Sequence, residues 1–510
     1  MKKLTVLLVL IVCFDPFVLW AQNNTNSKNC IPCEQLKSLR LPDITILEAK
    51  SFKKDSIEGQ AITVPFCRVL GRISKEINFE LILPNQWNQR FLMSGGGGFV
   101  GSIQNGLRYE VNAGYATAGT DAGHQGDGVD ASWGLNNMER QIDFGKLAIH
   151  LTAAVSKYLI RTYYCKDPAY SYFAGCSRGG GQAMMEAQQY PEDFDGIVAA
   201  APAFTWPAIG AKFIQNSQKN YLNPKDISKP VITKDNLKLL QEQVLKQCDA
   251  LDGITDNIIN DPRACKFDLS TLPVCPDSQV SATCFTAQQL AAIKTVYATV
   301  TVNQDTIYPG FPFGAENEHG SWDVWIAGNN PQMKMPSLHY LFGTSMFKYL
   351  VFNNPDWDYS QYDFSKFFEE TRYASAFLDA SQADYTEFKK RNRKMILWHG
   401  WNDPALSAFE TIKHYQQAEM KDKDIQSHIR LFLLPGVLHC GSGPGPDDVD
   451  WIALVRDWVE KGKAPERVVM SKKENGKTTM TRPVFPFPKV TVYSGRGDTN
   501  LEKNFTAQSQ

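Results

Sequence analysis

The chain has 510 residues, 53 Lys or Arg against 54 Asp or Glu, for a formal net charge of −1. Hydrophobic residues make up 43% and charged residues 21%, an ordinary globular balance that excludes a disordered or collagen-like chain. Without a basic excess or a Lys/Arg run, a nucleic-acid partner is not expected.

Lys2 and Lys3 precede an apolar run over 4–14, and Ala21 follows. This order reads as a bacterial signal peptide over residues 1–21, which predicts a secreted or periplasmic protein. The run is too short to span a bilayer, which takes ~20 residues, and no later stretch is long enough, so no membrane span is expected. A lipoprotein anchor at Cys13 is the weaker reading, because Val12 stands where a small residue is usual. Removing Cys13 with the signal leaves an even set of cysteines, which in an exported chain reads as disulfide bridges. Cys30 and Cys33 form a lone CxxC, without a second CxxC or a His spacing to support zinc.

In chain order, strands are predicted over 78–83, 91–94 and 115–120. Apolar residues at helical spacing (Phe144, Leu147, Ala148, Leu151, Val155, Leu159) predict a long helix over 143–163. A strand over 171–174, a helical stretch over 183–189 and a strand over 197–201 follow. Such alternation implies a parallel sheet covered on both faces. From about 206 to 385 the alternation is lost, and four cysteines fall between 248 and 284. That stretch reads as a domain inserted at 206–385 into a catalytic domain of 22–205 and 386–510. The alternation resumes with strands over 395–398 and 429–434 and an amphipathic helix over 449–459.

Gly175-Cys176-Ser177-Arg178-Gly179 fits G-x-S-x-G between a strand and a helix. That is the context of a nucleophile elbow, which holds a serine in a strained turn above the sheet. The backbone N–H of Arg178 is one expected oxyanion donor. The second is expected from the glycine run 95–98 after an earlier strand, at Gly97 or Gly98. No Gly-Lys-Ser/Thr follows that run, which disfavours a phosphate loop. Chain order in this fold is Ser, Asp/Glu, His. Among eight histidines, His439 follows a late strand and precedes the last amphipathic helix, which makes it the natural base. Asp403, five residues after strand 395–398, can orient its ring. Cys176 precedes Ser177 and Cys440 follows His439. If those two cysteines pair, serine and histidine are held together whatever the intervening chain does.

Cys-Ser at the elbow, a later Asp and His-Cys near the end resemble the tannase and feruloyl esterase family of α/β-hydrolases, which includes mono(2-hydroxyethyl) terephthalate hydrolases. The resemblance covers most of the mature chain. It implies an α/β-hydrolase fold with a large inserted lid domain, a Ser177–Asp403–His439 triad, and hydrolysis of feruloyl, other hydroxycinnamoyl or galloyl esters, including acids linked to plant cell-wall polysaccharide. A terephthalate monoester is a narrower case within the family. A non-catalytic binding protein on the same scaffold and a serine peptidase are the alternatives from other classes.

Residues 248–258 hold three carboxylates within eight residues. This is not an EF-hand, because Ile254 and Asn260 stand where Gly and Glu are required. The resemblance implies a structural Ca²⁺ in the lid, held by the carboxylates of Asp249, Asp252 and Asp256 and the carbonyls of Ile254 and Ile258. It also leads to a Cys248–Cys265 staple and a Cys275–Cys284 pair. Cys30, Cys33, Cys67 and Cys165 remain unassigned, with Cys67 to Cys30 or Cys33 favoured. Some of Trp322, Trp325, Phe342, Phe347 and Trp357 are expected to line a slot for an aromatic acyl group.

Overall fold

The structure is a computed structural model that describes residues 30–276, 280–328, 330 and 335–509. The expected signal segment and Cys13 lie outside the described residues.

Nine strands form one sheet. In chain order they are β1 (Ile44–Phe52), β2 (Phe66–Ile73), β3 (Ile77–Pro84), β4 (Arg90–Ser94), β5 (Ala116–Thr120), β6 (Tyr170–Cys176), β7 (Gly196–Ala200), β8 (Lys394–Gly400) and β9 (Ile429–Leu434). Across the sheet the order is β1-β2-β3-β5-β4-β6-β7-β8-β9. From β5 to β9 every neighbouring pair is parallel, as the alternation predicts. These strands are buried almost throughout, as expected of strands covered on both faces. The all-parallel expectation fails at the other edge, where β1, β2, β3 and β5 pair antiparallel. The cause is local. Only residues 74–76 separate β2 from β3, far too few for the crossover that parallel pairing needs.

The helices that shape the site are α1 (Ala148–Tyr164), α2 (Arg178–Gln189), α3 (Trp206–Asn220), α4 (Ala287–Tyr297), α5 (Leu338–Met346), α6 (Ala408–Lys421) and α7 (Trp451–Lys461). The single helix predicted over 143–163 is instead a short α-helical turn, Met138–Ile142, then a π-helical turn, Asp143–Leu147, then α1. The wider turn has two packing partners. Gly145 lies so close to Phe377 that a Cβ would sit 2.2 Å from its carbonyl oxygen. The Phe144 and Gly145 carbonyls accept from the guanidinium of Arg178.

Residues 201–393 add no strand to the main sheet. They carry α3 to α5, further helices that include Lys234–Cys248 and Phe367–Leu378, and a hairpin of Val300–Val302 with Asp305–Tyr308. Ile232, Leu237, Leu240, Val244, Ile293 and Trp322 form a separate apolar cluster there. Beyond 459, where the periodicity predicts nothing, Val468–Glu474 pairs with Lys477–Val484, and Val490–Tyr493 with Phe505–Gln508. Five disulfides tie the chain: Cys30–Cys165, Cys33–Cys67, Cys176–Cys440, Cys248–Cys265 and Cys275–Cys284.

Candidate active site

Strand β6 ends at Cys176 and α2 begins at Arg178, so Ser177 is the whole turn between them. Its backbone is forced to φ 61° and ψ −121°. A non-glycine residue in such a conformation costs about 1–3 kcal/mol unless its surroundings hold it. They do. The Ser177 N–H donates to the Ala200 carbonyl at 3.0 Å, and the Ser177 carbonyl accepts from Gly181 at 3.0 Å and Ala203 at 2.9 Å. Gly175 permits the close pass of helix over strand, since a Cβ there would stand 2.6 Å from Gly179 backbone atoms.

The glycine run after β4 is pinned from two sides. Gln182 Oε1 accepts from the Gly96 N–H at 3.0 Å, and Gln104 Oε1 accepts from the Gly97 N–H at 2.7 Å. The Gly97 donor is therefore occupied. Gly98, at φ +54°, has an N–H with no acceptor among the described residues, and a Cβ there would meet the Gly128 carbonyl oxygen at 2.3 Å. The Arg178 N–H, in the first turn of α2, has no intrahelical partner. The pair of free donors is thus Gly98 and Arg178. The Arg178 side chain is buried, with its guanidinium 4.3 Å from the Phe144 ring centroid, and burial pushes its pKa down to about 9.

Asp403 follows β8 and is fully buried. Its Oδ1 accepts the backbone N–H groups of Ala405 and Leu406 at 2.8 and 2.9 Å, and its Oδ2 lies 2.8 Å from His439 Nδ1. Burial alone would raise this carboxyl. The His439 charge and hydrogen bonds from His399 and His439 overcome that and hold it below the usual carboxylate range. His439 lies after β9. The Cys176–Cys440 bridge, with Cα atoms 5.8 Å apart, binds its loop to the elbow. Among the described residues no hydrogen bond joins Ser177 to His439, a contact that in serine sites often tightens only on complex formation.

Both residues line one cavity of about 300 Å³. Gly97, Gly98, Cys176, Arg178 and Cys440 line it with them, and its apolar walls are Ala203, Trp206, Ile209, Phe213, Trp325, Phe342, Met346, Ala405 and Leu406. Trp325 presents its ring edge-on to His439 at 5.0 Å. The chain between β7 and β8 also grips the Asp403 loop. Asn402 Nδ2 donates to Gly314 O at 2.6 Å, Ser407 Oγ donates to Gly310 O at 2.6 Å, and His339 Nε2 lies 3.0 Å from Pro404 O.

The model of the family described as tannase and feruloyl esterase matches residues 60–508. The chain belongs to that family. It is accordingly a carboxylic ester hydrolase with an α/β fold. It is 32% identical to an uncharacterized esterase of Xanthomonas campestris, over 94% of this chain and 92% of that one. It is 30% identical to the mono(2-hydroxyethyl) terephthalate hydrolase of Piscinibacter sakaiensis (86% and 84%) and 29% identical to a probable feruloyl esterase B of Aspergillus clavatus (86% of each). Feruloyl esterase B from Aspergillus oryzae superposes with a TM-score of 0.83 at 25% identity, over 93% of this chain and 99% of that one. The tannin acyl hydrolase of Aspergillus niger shares the fold, with a TM-score of 0.72 at 20% identity over 92% of each chain.

In this esterase Trp325 and Phe342, of the five aromatics singled out by sequence, reach the cavity. Trp322 and Phe347 are buried core residues, and Trp357 stacks on Phe352. Sequence reasoning missed Trp206, Ile209 and Phe213. The i, i+3, i+7 spacing of these three on α3 marks a shared apolar face but not what that face meets. It also passed over His399, which shares Asp403. Cys67 bridges to Cys33, and Cys30 to Cys165.

The acidic loop lies apart from the cavity. Asp249 accepts from the N–H of Asp256 at 3.3 Å and of Asn257 at 3.0 Å; Asp252 accepts from Ile254 at 3.0 Å and Asp256 from Ile258 at 3.1 Å. Arg482 neutralises Asp256 at 2.7 Å, and among the described residues no ion pair reaches Asp249 or Asp252. Burial, then the neighbouring carboxylates Asp256 and Asp249, push Asp252 up to about 6. Among the described residues, no group of three or more His, Cys, Asp and Glu side chains closes into a metal-binding cluster. What favours a hard cation here is the oxygen chemistry of these side chains and the charge of Asp249 and Asp252, not a preformed cluster.

Proposed function

We propose that this esterase hydrolyses esters of aromatic acids through a Ser177–His439–Asp403 acyl-enzyme mechanism, with feruloyl, hydroxycinnamoyl or galloyl esters as the substrate class. The Ser177 oxygen attacks the ester carbonyl while its proton passes to His439 Nε2. The Nδ1–H bond to Asp403 holds the tautomer that leaves Nε2 free and stabilises the imidazolium that forms. Charge developing on the carbonyl oxygen is met by the N–H groups of Gly98 and Arg178. Collapse of the tetrahedral intermediate breaks the bond to the alcohol, which leaves with the proton from His439. Water then attacks the acyl-serine, giving a proton to His439, and the acid departs as the proton returns to Ser177.

The observation that carries this reading is the cavity, where serine, histidine and two N–H donors share one space with an apolar wall that includes Trp206, Phe213, Trp325 and Phe342. That wall suits a planar neutral acyl group. A terephthalate monoester, the narrower reading, would place a free carboxylate there. The one cationic side chain among the lining residues is Arg178, whose guanidinium is held by the Phe144 and Gly145 carbonyls, and an unpaired buried charge is costly. Phenolic acids esterified to plant cell-wall polysaccharide fit the same cavity if the sugar stays outside as leaving alcohol.

Residues 206–385 act as a lid domain in this account, since α3 and α5 supply Trp206, Ile209, Phe213, Phe342 and Met346 to the wall. The loop 249–258 holds a structural Ca²⁺ through the carboxylates of Asp249, Asp252 and Asp256 and the carbonyls of Ile254 and Ile258. The ion offsets charge there and takes no part in the chemistry. Export past a membrane, secreted or periplasmic, agrees with five disulfides. Methyl ferulate, methyl gallate and a terephthalate monoester, each offered to wild type and Ser177→Ala, test the reading. Turnover of the neutral aromatic esters by wild type alone supports it, and no turnover of any of them by wild type refutes it.

A further inference from the structure

We propose that His399 is a positioning residue that tunes the base: its imidazole fixes the Asp403 oxygen that His439 uses and draws charge from it. This rests on the triad reading above.

His399 is the last residue but one of β8 and is fully buried. Its Nε2 lies 3.1 Å from Asp403 Oδ2 and 3.0 Å from the Leu406 carbonyl oxygen, and its Nδ1 lies 2.8 Å from Thr411 Oγ1. A carboxylate and a carbonyl only accept, so the ring proton sits on Nε2 and donates to both. Nδ1 then accepts from the Thr411 hydroxyl, and α6, which carries Thr411, thereby selects the tautomer. The same Asp403 Oδ2 accepts from His439 Nδ1 at 2.8 Å, while Oδ1 is taken by two backbone N–H groups. The carboxylate is thus fixed in rotation, and its Oδ2 is divided between two imidazoles. An oxygen so shared stabilises either imidazolium less than an unshared one does. His399 therefore holds Asp403 in line and limits what Oδ2 can offer to His439.

Other groups surround this network. His339 on α5 reaches it through Pro404 O, and Tyr308 accepts the Ser407 N–H at 3.0 Å. Glu410 on α6 and Lys212 on α3 lie further out, acting on Tyr308 and His339 respectively. Burial pushes His339 down to about 3 and Lys212 down to about 7, and raises Tyr308 and Glu410. Substitution at 399 leaves all four in place, so differences between variants isolate His399.

The experiment is the pH dependence of kcat and kcat/KM on a p-nitrophenyl ester for wild type, His399→Leu, His399→Gln, Thr411→Val and Asp403→Asn, each with a thermal melt. His399→Leu is expected to move the acid limb of kcat/KM up by about half a unit or more. Its kcat is expected to fall about tenfold from lost alignment, with KM little changed. His399→Gln, whose amide N–H₂ reaches the Nε2 position, is expected to restore the wild-type limb. A folded His399→Leu with the wild-type limb, or Gln and Leu variants shifted alike, overturns the proposal. If His399→Leu does not fold, Thr411→Val decides: an upward shift supports the proposal and an unshifted limb overturns it. Asp403→Asn with wild-type turnover sinks the triad reading itself, whereas an inactive Asp403→Asn beside an unshifted His399→Leu sinks only the role of His399.

Discussion

Removing the Cys176–Cys440 bridge should damage stability and catalysis together, for separable reasons. The two cysteines are 264 residues apart in sequence. In the chain-entropy model a loop of that length restricts the unfolded chain by about 5–6 kcal/mol. For a folded chain of about 480 residues the unfolding entropy is of order 1 kcal/mol per kelvin, so the double variant Cys176→Ala/Cys440→Ala should melt about 5 °C lower. The catalytic loss has another origin. The bridge joins the neighbours of Ser177 and His439, and without it the histidine loop is held by its contact to Asp403 and by loop backbone bonds. A displacement of ~1 Å between reacting groups costs up to about a hundredfold in rate. The assay pairs differential scanning calorimetry with kcat on a p-nitrophenyl ester at 25 °C, where the variant remains folded. Lower kcat with KM near wild type is the expected result. A variant that melts lower yet keeps wild-type kcat would refute the claim that the bridge aligns the two residues.

Other outcomes follow from particular contacts. Gly98→Ala forces a Cβ to 2.3 Å from Gly128 O at positive φ, and should lower kcat by about 10²–10³ through loss of an oxyanion donor, read as kcat at saturating ester. Asp379, whose carboxylate accepts the Trp206 N–H at 2.7 Å, is pushed up to about 7 chiefly by burial. Its folded pKa lies above its unfolded one, so its contribution is full below about pH 4 and is lost as pH rises to 7. Asp379→Asn should therefore melt higher than wild type at pH 8 and no higher at pH 4; equal melting gaps at both pH values would contradict this. EGTA should lower the melting temperature while leaving kcat at 25 °C unchanged, and an unchanged melt would remove the calcium from loop 249–258. Asn402→Ala breaks the bond to Gly314 and should lower kcat with KM little changed if the inserted segment anchors the Asp403 loop.

The parallel half of the sheet was legible because β4 to β9 are short buried runs separated by turn or helical signals, and Ile429–Leu434 falls where its pattern ends. Of the antiparallel edge, β3 was legible over 78–83, but β1 and β2 were not. β1 is half exposed and carries a bulge between Ile46 and Glu48, which breaks the period-two signal. The convergence of the Ser177, Asp403 and His439 loops was legible from chain order, and the cysteines beside Ser177 and His439 told which two loops meet. The cavity wall was less so. Residues 206–385 pack around their own core, and apolar spacing does not tell a core-facing residue from a pocket-facing one, so Trp322 and Trp325 look alike in sequence. The Arg178 guanidinium and the His399 ring find their partners, Phe144 and Thr411, through the fold, which no local pattern reports.

The most direct test of the central claim is where a serine-reactive fluorophosphonate attaches. Intact mass and peptide mapping of the disulfide-intact protein should give a single adduct on the peptide containing Ser177, with ester hydrolysis lost in proportion and no adduct on Ser177→Ala. Labelling at another serine, or undiminished hydrolysis by Ser177→Ala, would contradict the account.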